Sequence, residues 1–226
     1  MRIIHGLNKK AHWEKVYQTK ETGELSWSQQ VPQTSLDFIH SFHLSKNAKI
    51  IDIGGGDSTL VDYLLREGFT DITVLDISKT ALQKAQSRLG ETGKKIKWVV
   101  ADITKFKPEG TFDLWHDRAT FHFLTEEDQI AAYLDIAGKA INNYMVIGTF
   151  SENGPEKCSN LPVKQYSESQ LQTQLKQNFS KIRCVTEDHV TPFNTRQSFL
   201  FCGFKRAEDA TKAYRQPSFS QAGPKL

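Results

Sequence analysis

The sequence predicts an α/β fold with a mostly parallel sheet that ends in an antiparallel hairpin. Three observations predict it. From Lys49 onward, short apolar runs alternate with segments at helical spacing, the pattern of βαβ units. The first run ends in Gly54-Gly55-Gly56, which lets the backbone turn sharply from strand to helix. The last two apolar runs, 181–186 and 198–204, have no helix between them, only a link with the turn residues Pro192 and Asn194.

The elements follow in order. Trp13, Val16 and Tyr17 stand at i, i+3, i+4 and mark a first helix. A second fits 35–44, with Leu36, Ile39 and His43 at helical spacing. The first strand is 49–53, followed by a helix carrying Leu60, Val61, Leu64 and Leu65. The second strand is 72–75; Ser78 then suits an N-cap ahead of the stripe Leu82, Ala85, Leu89. Strands three, four and five are 96–100, 112–115 and 144–148. Thr125 with Asp128 has the spacing of a capping box before Ile130, Leu134, Ala137 and Ile141, and Ser167 with Gln170 forms a better one before Leu171, Leu175 and Phe179. Residues 151–166 contain Gly154, Pro155, Cys158 and Pro162 and read as a long loop, a length often used for lids.

The 226 residues form one domain over 1–205, with 1–45 as an N-terminal helical lid segment and 46–205 as the core. Residues 206–226 lose periodicity and are expected to be a flexible tail. A net charge of +3, spread along the chain, gives no reason to expect a nucleic-acid partner. No apolar run approaches a membrane span and no secretory signal is visible. Cys158, Cys184 and Cys202 are an odd number at wide spacings, so neither a zinc pattern nor a disulfide framework is expected, and the default setting is cytoplasmic.

The chemical signal lies at 50–58, Ile-Ile-Asp-Ile-Gly-Gly-Gly-Asp-Ser. Alone, three glycines could serve only a tight turn. Asp76 raises the signal: it ends the second strand 20 residues after Gly56, the spacing of a ribose-binding acid in doubly wound nucleotide folds. Asp102 follows the third strand, where a further contact could form. Asp52 and Asp57 beside the glycines would repel a dinucleotide's pyrophosphate, and the third glycine of G-x-G-x-x-G is missing. S-adenosylmethionine has no phosphate and carries a sulfonium and an ammonium, so charge favours it over NAD.

These residues resemble the class I S-adenosylmethionine-dependent methyltransferases. Asp52-Ile53-Gly54-Gly55-Gly56 matches that family's acid-x-Gly-x-Gly loop, with Ser58 where many members have another glycine. The resemblance covers roughly residues 9–205. It implies a Rossmann-like, doubly wound, seven-stranded sheet with its last strand antiparallel. It implies that Asp76, with Ile77 beside it, binds the ribose hydroxyls of S-adenosylmethionine. Asp102-Ile103 then meets the adenine, Gly54, Gly55 and Gly56 admit the methionine portion, and Asp52 favours its ammonium.

Methyl transfer is an in-line displacement at an activated carbon, so alignment can carry much of the catalysis. Ligands in such sheets bind beyond the carboxyl ends of the strands, which draws attention to Asp117 and Arg118 after the fourth strand. Asp117 is expected to face the donor methyl or the acceptor, and Arg118 to orient an anionic group; a local ion pair is the plainer alternative. His116 and His122 read as packed histidines. The segment lacks an Asn-Pro-Pro-Tyr motif and a Pro-Cys pair, against base-modifying DNA enzymes.

Trp13, Tyr17 and Trp27 could staple the first helix to the sheet or close over the donor with an aromatic face near the sulfonium. Trp13-x-x-x-Tyr17 with Gly23-Glu24-Leu25-Ser26-Trp27 is similar to the N-terminal segment of elongation-factor lysine methyltransferases, and Asp117-Arg118-Ala119-Thr120-Phe121 is related to their Asp-Lys-Gly-Thr-Phe-like segment. Arg118, Ala119 and Ser28 depart from that pattern, and the whole chain is closer to bacterial class I methyltransferases of unassigned acceptor. The expected acceptor is a small molecule, with a protein lysine as the alternative. A binding module that holds the donor without turnover is the alternative of another class.

Overall fold

The computed structural model describes residues 8–207. Seven strands form one sheet in the order β3-β2-β1-β4-β5-β9-β8. These are β1 (Lys49–Ile53), β2 (Asp71–Asp76), β3 (Lys97–Val100), β4 (Phe112–Arg118), β5 (Ile141–Phe150), β8 (Phe179–Val190) and β9 (Arg196–Arg206). The first five pair in parallel, and β9 runs antiparallel to both β5 and β8. The sequence reading thus holds for class and order, while β4, β5, β8 and β9 extend further than their apolar runs. Arg206 still pairs within β9; the rest of the expected tail from residue 208 lies outside the described residues, as do residues 1–7.

Alternation along β1 explains the layers. Ile50 packs on one face with Leu36, Phe38 and Ile39 of α2 (Gln33–Ser41) and with Leu60, Val61 and Leu64 of α3 (Leu60–Arg66). Ile51 and Ile53 pack on the other with Ile130, Tyr133 and Ala137 of α5 (Glu127–Ala140) and Leu171 and Leu175 of α6 (Glu168–Leu175). A strand covered on both faces reads as a continuous apolar run, as Ile50-Ile51-Asp52-Ile53 does. The N-terminal helix α1 (Lys9–Thr19) adds Val16 and Tyr17 to a smaller cluster with Ala81 of α4 (Lys79–Leu89).

The caps divide. Ser78 caps α4 by accepting from Ala81 N at 3.1 Å, and Ser167 with Gln170 forms the expected box. The Thr125–Asp128 box does not form: Glu126 takes the N-cap position of α5 and contributes no side-chain cap. His43 lies beyond α2, with φ +49, so the helix ends earlier than its spacing suggests.

Two expectations are corrected. Residues 151–166 are not a plain loop: β6 (Lys157–Cys158) and β7 (Leu161–Pro162) make a tight hairpin whose two turn residues, Ser159 and Asn160, both have positive φ. Cys184 and Cys202 are directly opposed across β8 and β9 and are joined in a disulfide, leaving Cys158 as the free thiol. Spacing hid this pair because the register of a hairpin with a bulge is not readable from the chain. That bulge lies between Lys181 and Arg183 of the edge strand β8.

Gly203 of β9 lies against Phe38; a Cβ there would stand 2.9 Å from two ring carbons of this fully buried side chain. Gly203→Ala is expected to destabilise the fold by about 1–3 kcal/mol through overpacking. The check is a lowered urea midpoint with an unchanged denaturant slope.

Candidate active site

The site is built on the carboxyl ends of β1, β2 and β4, under the N-terminal segment. Gly54 and Gly56 both have positive φ, at 65° and 49°. A Cβ at Gly54 would overlap the Thr120 hydroxyl, and one at Gly56 would lie 2.8 Å from the Tyr17 hydroxyl and 3.0 Å from Asp76 Oδ2. Only glycine suits both the conformation and the space. Gly54 N and Gly55 N each donate to Leu75 O, at 2.7 and 3.2 Å, so the turn is tied to the end of β2, next to Asp76.

An open cavity of about 870 Å³, mouth included, lies beside this turn. Asp76, Ile77, Asp102, Ile103, Gly54 and Arg118 line it, and Trp13, Tyr17, Trp27, Phe123 and Cys158 cover it. A smaller cavity continues behind the turn, past Asp52, Gly55, Asp57 and His116, and Arg118 lines both. Among the described residues, no cluster of His, Cys, Asp and Glu is arranged to hold a metal ion.

Asp76 is buried and accepts from Ser78 N at 2.7 Å. Burial pushes its pKa up to about 7 against the Ser78 hydrogen bond, with the charges of Asp52 and Glu14 adding to the rise. A buried acid without a cation, at the rim of a cavity, is placed to accept hydrogen bonds from a polar ligand. Asp102 accepts from both Thr104 N and Thr104 Oγ1 through Oδ1, at 2.9 and 2.7 Å, while lining the same cavity.

The aromatic residues of the N-terminal segment pack on one another and line the cavity. Trp13 packs edge-on to Trp27 and Phe123, with centroids 5.5 and 5.1 Å away, and Tyr17 lies 6.2 Å from Trp27. All four rings line the main cavity, and Tyr17 and Trp27 reach the second. Burial raises the Tyr17 hydroxyl well above its ordinary pKa, so it remains a donor at neutral pH. The helix that carries Trp13 and Tyr17 is pinned by Glu14, which accepts from Lys79 N and Thr80 N at the start of α4, and by Lys9, which donates to Phe123 O at 2.6 Å.

Asp117 is the main correction. It does not line either cavity. It is wholly buried, accepting from Thr120 N at 3.0 Å, Phe121 N at 3.1 Å and the Tyr133 hydroxyl at 2.8 Å. Its pKa rises to about 6 because burial outweighs these hydrogen bonds. Side chains alternate along a strand: Asp117 turns into the α5 face while Arg118 turns to the cavities. Asp52 and Asp57 are also less free than their charges suggested. Asp52 Oδ1 lies 2.7 Å from His116 Nδ1, and Asp57 is bound by Arg88, which also holds Asp62. The repulsion that Asp57 would offer a phosphate is therefore muted. His116 closes its other nitrogen on Ser35 Oγ at 2.9 Å, and His122 is held neutral, burial taking its pKa down to about 3, so both are packed histidines. Cys158 lines the cavity as an inert thiol, pushed up to about 11 by burial.

The sequence reading missed four contributors to the site: Glu14, Lys9, Phe123 and Thr120. Thr120 follows the fourth strand and could have been paired with the glycine turn; Glu14 and Lys9 are partly buried charged residues of α1 that lie outside its apolar stripe and gave no signal.

The raised pKa of Asp76 has a testable sign. The folded value near 7 exceeds the ordinary 3.8, so the native state holds a proton that the unfolded chain releases, and stability falls as pH rises between those values. Asp76→Asn removes this loss. The variant is expected to gain thermal stability over the unmodified protein at pH 8 and none near pH 4. Its affinity for S-adenosylhomocysteine in calorimetry is expected to drop at least ~10-fold, the scale of a hydrogen bond to a charged group.

A family profile described as a methyltransferase domain matches residues 50–139, the stretch from β1 to the end of α5. EEF1A lysine methyltransferase 2 of Danio rerio is 30% identical over 125 residues, covering 51% of this chain and 54% of that protein. A malonyl-(acyl-carrier protein) O-methyltransferase 1 of Ilyobacter polytropus is 26% identical over 107 residues, covering 45% and 39%. The chain thus spans about half of the first relative and less of the second. Among solved structures, magnesium protoporphyrin IX methyltransferase from Synechocystis PCC 6803 with bound S-adenosylmethionine superposes with a TM-score of 0.66 at 16% identity, over 91% of this chain and all of that one. The glycine turn, the acid at the end of β2 and the sheet order agree with these matches: residues 50–139 match a methyltransferase domain, and the chain shares the fold of a methyltransferase solved with S-adenosylmethionine bound.

Proposed function

We propose that the protein transfers a methyl group from S-adenosylmethionine to a small-molecule acceptor. In this reading Asp76 takes the ribose hydroxyls, Asp102 and Ile103 the adenine, and the turn at Gly54–Gly56 the methionine end; the cavity that Gly54, Asp76, Asp102 and Ile103 line together supports it. Bound there, the donor supplies an activated methyl carbon. The chain contributes alignment and exclusion of water, through Trp13, Tyr17, Trp27 and Phe123 over the cavity.

The observation that carries the choice of acceptor is the charge at the end of β4. Asp117 is turned away, and the charged side chain left facing the cavities there is Arg118. A guanidinium beside the reaction site opposes the approach of a lysine ammonium and suits a neutral or anionic nucleophile. The lysine reading keeps a specific support of its own, the likeness to EEF1A lysine methyltransferase 2. The cytoplasmic setting expected from the sequence stays part of the proposal; the Cys184–Cys202 bond, uncommon in reducing compartments, is the observation against it. No helix among the described residues is long and apolar enough to cross a membrane.

The test is incubation of the purified protein with methyl-labelled S-adenosylmethionine and a cell extract, followed by separation of proteins from small molecules. Enzyme-dependent label in a new small molecule is the expected result. Label in a protein band moves the acceptor to lysine. Binding of S-adenosylhomocysteine without label in either fraction leaves a module that holds the donor without turnover.

A further inference from the structure

Arg118 is an incompletely paired cation. It stands at the end of β4, opposite Gly148 of β5, and lines both cavities. Of its nitrogen atoms, Nη1 donates to Trp27 O at 2.9 Å, whereas Nε and Nη2 are shut off from solvent and have no partner among the described residues. The guanidinium rests over the Phe199 ring, 4.8 Å from its centroid. A ring face replaces only a small part of the hydration that a charged group gives up on leaving water. Burial lowers the pKa to about 10, which leaves the group charged at neutral pH.

Carboxylates of the chain lie near but do not complete it. Asp52 is closed on His116, and Asp117 on Tyr133 and two backbone N–H groups. Glu187 sits across the hairpin from Phe199 and its charge reaches Arg118. It makes no ion pair with Arg118, however, accepts from Thr34 Oγ1 through Oε2, and leaves Oε1 unpaired. Lys9, the other cation lining the main cavity, is tied to Phe123 O and Gln129. A guanidinium presents five N–H donors in a fork that matches a carboxylate.

We infer that Arg118 is the anchor for a ligand carboxylate: in the occupied site its side chain turns from Phe199 into the cavity it already lines and pairs with that group. The inference rests on the proposed methyltransferase reading. The carboxylate has two possible sources with the same chemistry, the amino-acid end of the donor or an anionic acceptor.

The test uses the full chain with Arg118→Met and Arg118→Lys, thermal unfolding of each confirming a folded protein. Calorimetry compares S-adenosylhomocysteine with 5′-methylthioadenosine, which lacks the amino-acid end. Benzoate and the neutral benzamide are then titrated into protein saturated with S-adenosylhomocysteine. If the donor supplies the carboxylate, Arg118→Met weakens S-adenosylhomocysteine about 10–100-fold, leaves methylthioadenosine within twofold, and Arg118→Lys recovers part of the loss. If the acceptor supplies it, both nucleosides bind unchanged, the unmodified protein binds benzoate in preference to benzamide, and Arg118→Met abolishes that preference. Unchanged nucleoside affinities together with no preference for benzoate overturn the inference. Failure of the unmodified protein to bind S-adenosylhomocysteine at all overturns the methyltransferase reading instead.

Discussion

The turn at Gly54–Gly56 fixes where three other parts of the chain can go. Its left-handed backbone leaves no room for a side chain, and three groups occupy the space that a Cβ would need: the Thr120 hydroxyl from the end of β4, Asp76 from the end of β2, and the Tyr17 hydroxyl from α1. Each arrives by its own route. Leu75 O accepts both Gly54 N and Gly55 N, which brings β2 alongside; Thr120 Oγ1 donates to Ile53 O at 3.2 Å, which brings β4. Once these are in place, the ends of three strands and one helix surround a single volume. A larger residue at the turn would push apart the whole set, because close-packed neighbours transmit the displacement.

Two buried acids near this turn show how the same physics serves different ends. Asp76 and Asp117 both have raised pKa values, and desolvation is the largest cause in each. Asp117 is embedded in a chain of bonds running from Trp115 Nε1 through the Tyr133 hydroxyl to its own carboxylate, with two backbone N–H groups on its other oxygen. Its acceptors are filled from within the core, and it shapes the turn after β4. Asp76 has Ser78 N on one oxygen and a cavity in front of it. The difference between an internal brace and an acid that faces the cavity is which side of the strand end the carboxylate takes.

That difference explains what the sequence could and could not convey. The order of strands and helices was legible because each apolar run had to be long enough to cross the sheet and was bounded by caps or glycines. The residues that line the cavity were legible because their pattern is local: a turn, an acid 20 residues later, an acid after the next strand. Asp117 and Arg118 were read as a pair, yet adjacent residues on a strand face opposite sides, and the strand end had been placed at Trp115, three residues short. With β4 drawn to Arg118, the alternation would have separated them. The Cys184–Cys202 pair and the Glu14 clamp on α4 depend on register and docking, which no local pattern carries.

The bulge in β8 bears on a different matter, the company this protein keeps in concentrated solution. β8 is a twelve-residue strand at the rim of the sheet, with no further strand paired to its outer edge among the described residues and with Ile182 and Val185 exposed. A flat rim of that length is a template on which a second chain can add a strand. The extra residue between Lys181 and Arg183 interrupts the ladder and increases the local twist, and Lys181, Arg183, Glu187 and Asp188 bring charge to the same strand. An incoming strand meets a broken register and fixed charges, so the irregularity guards the rim against strand-by-strand aggregation.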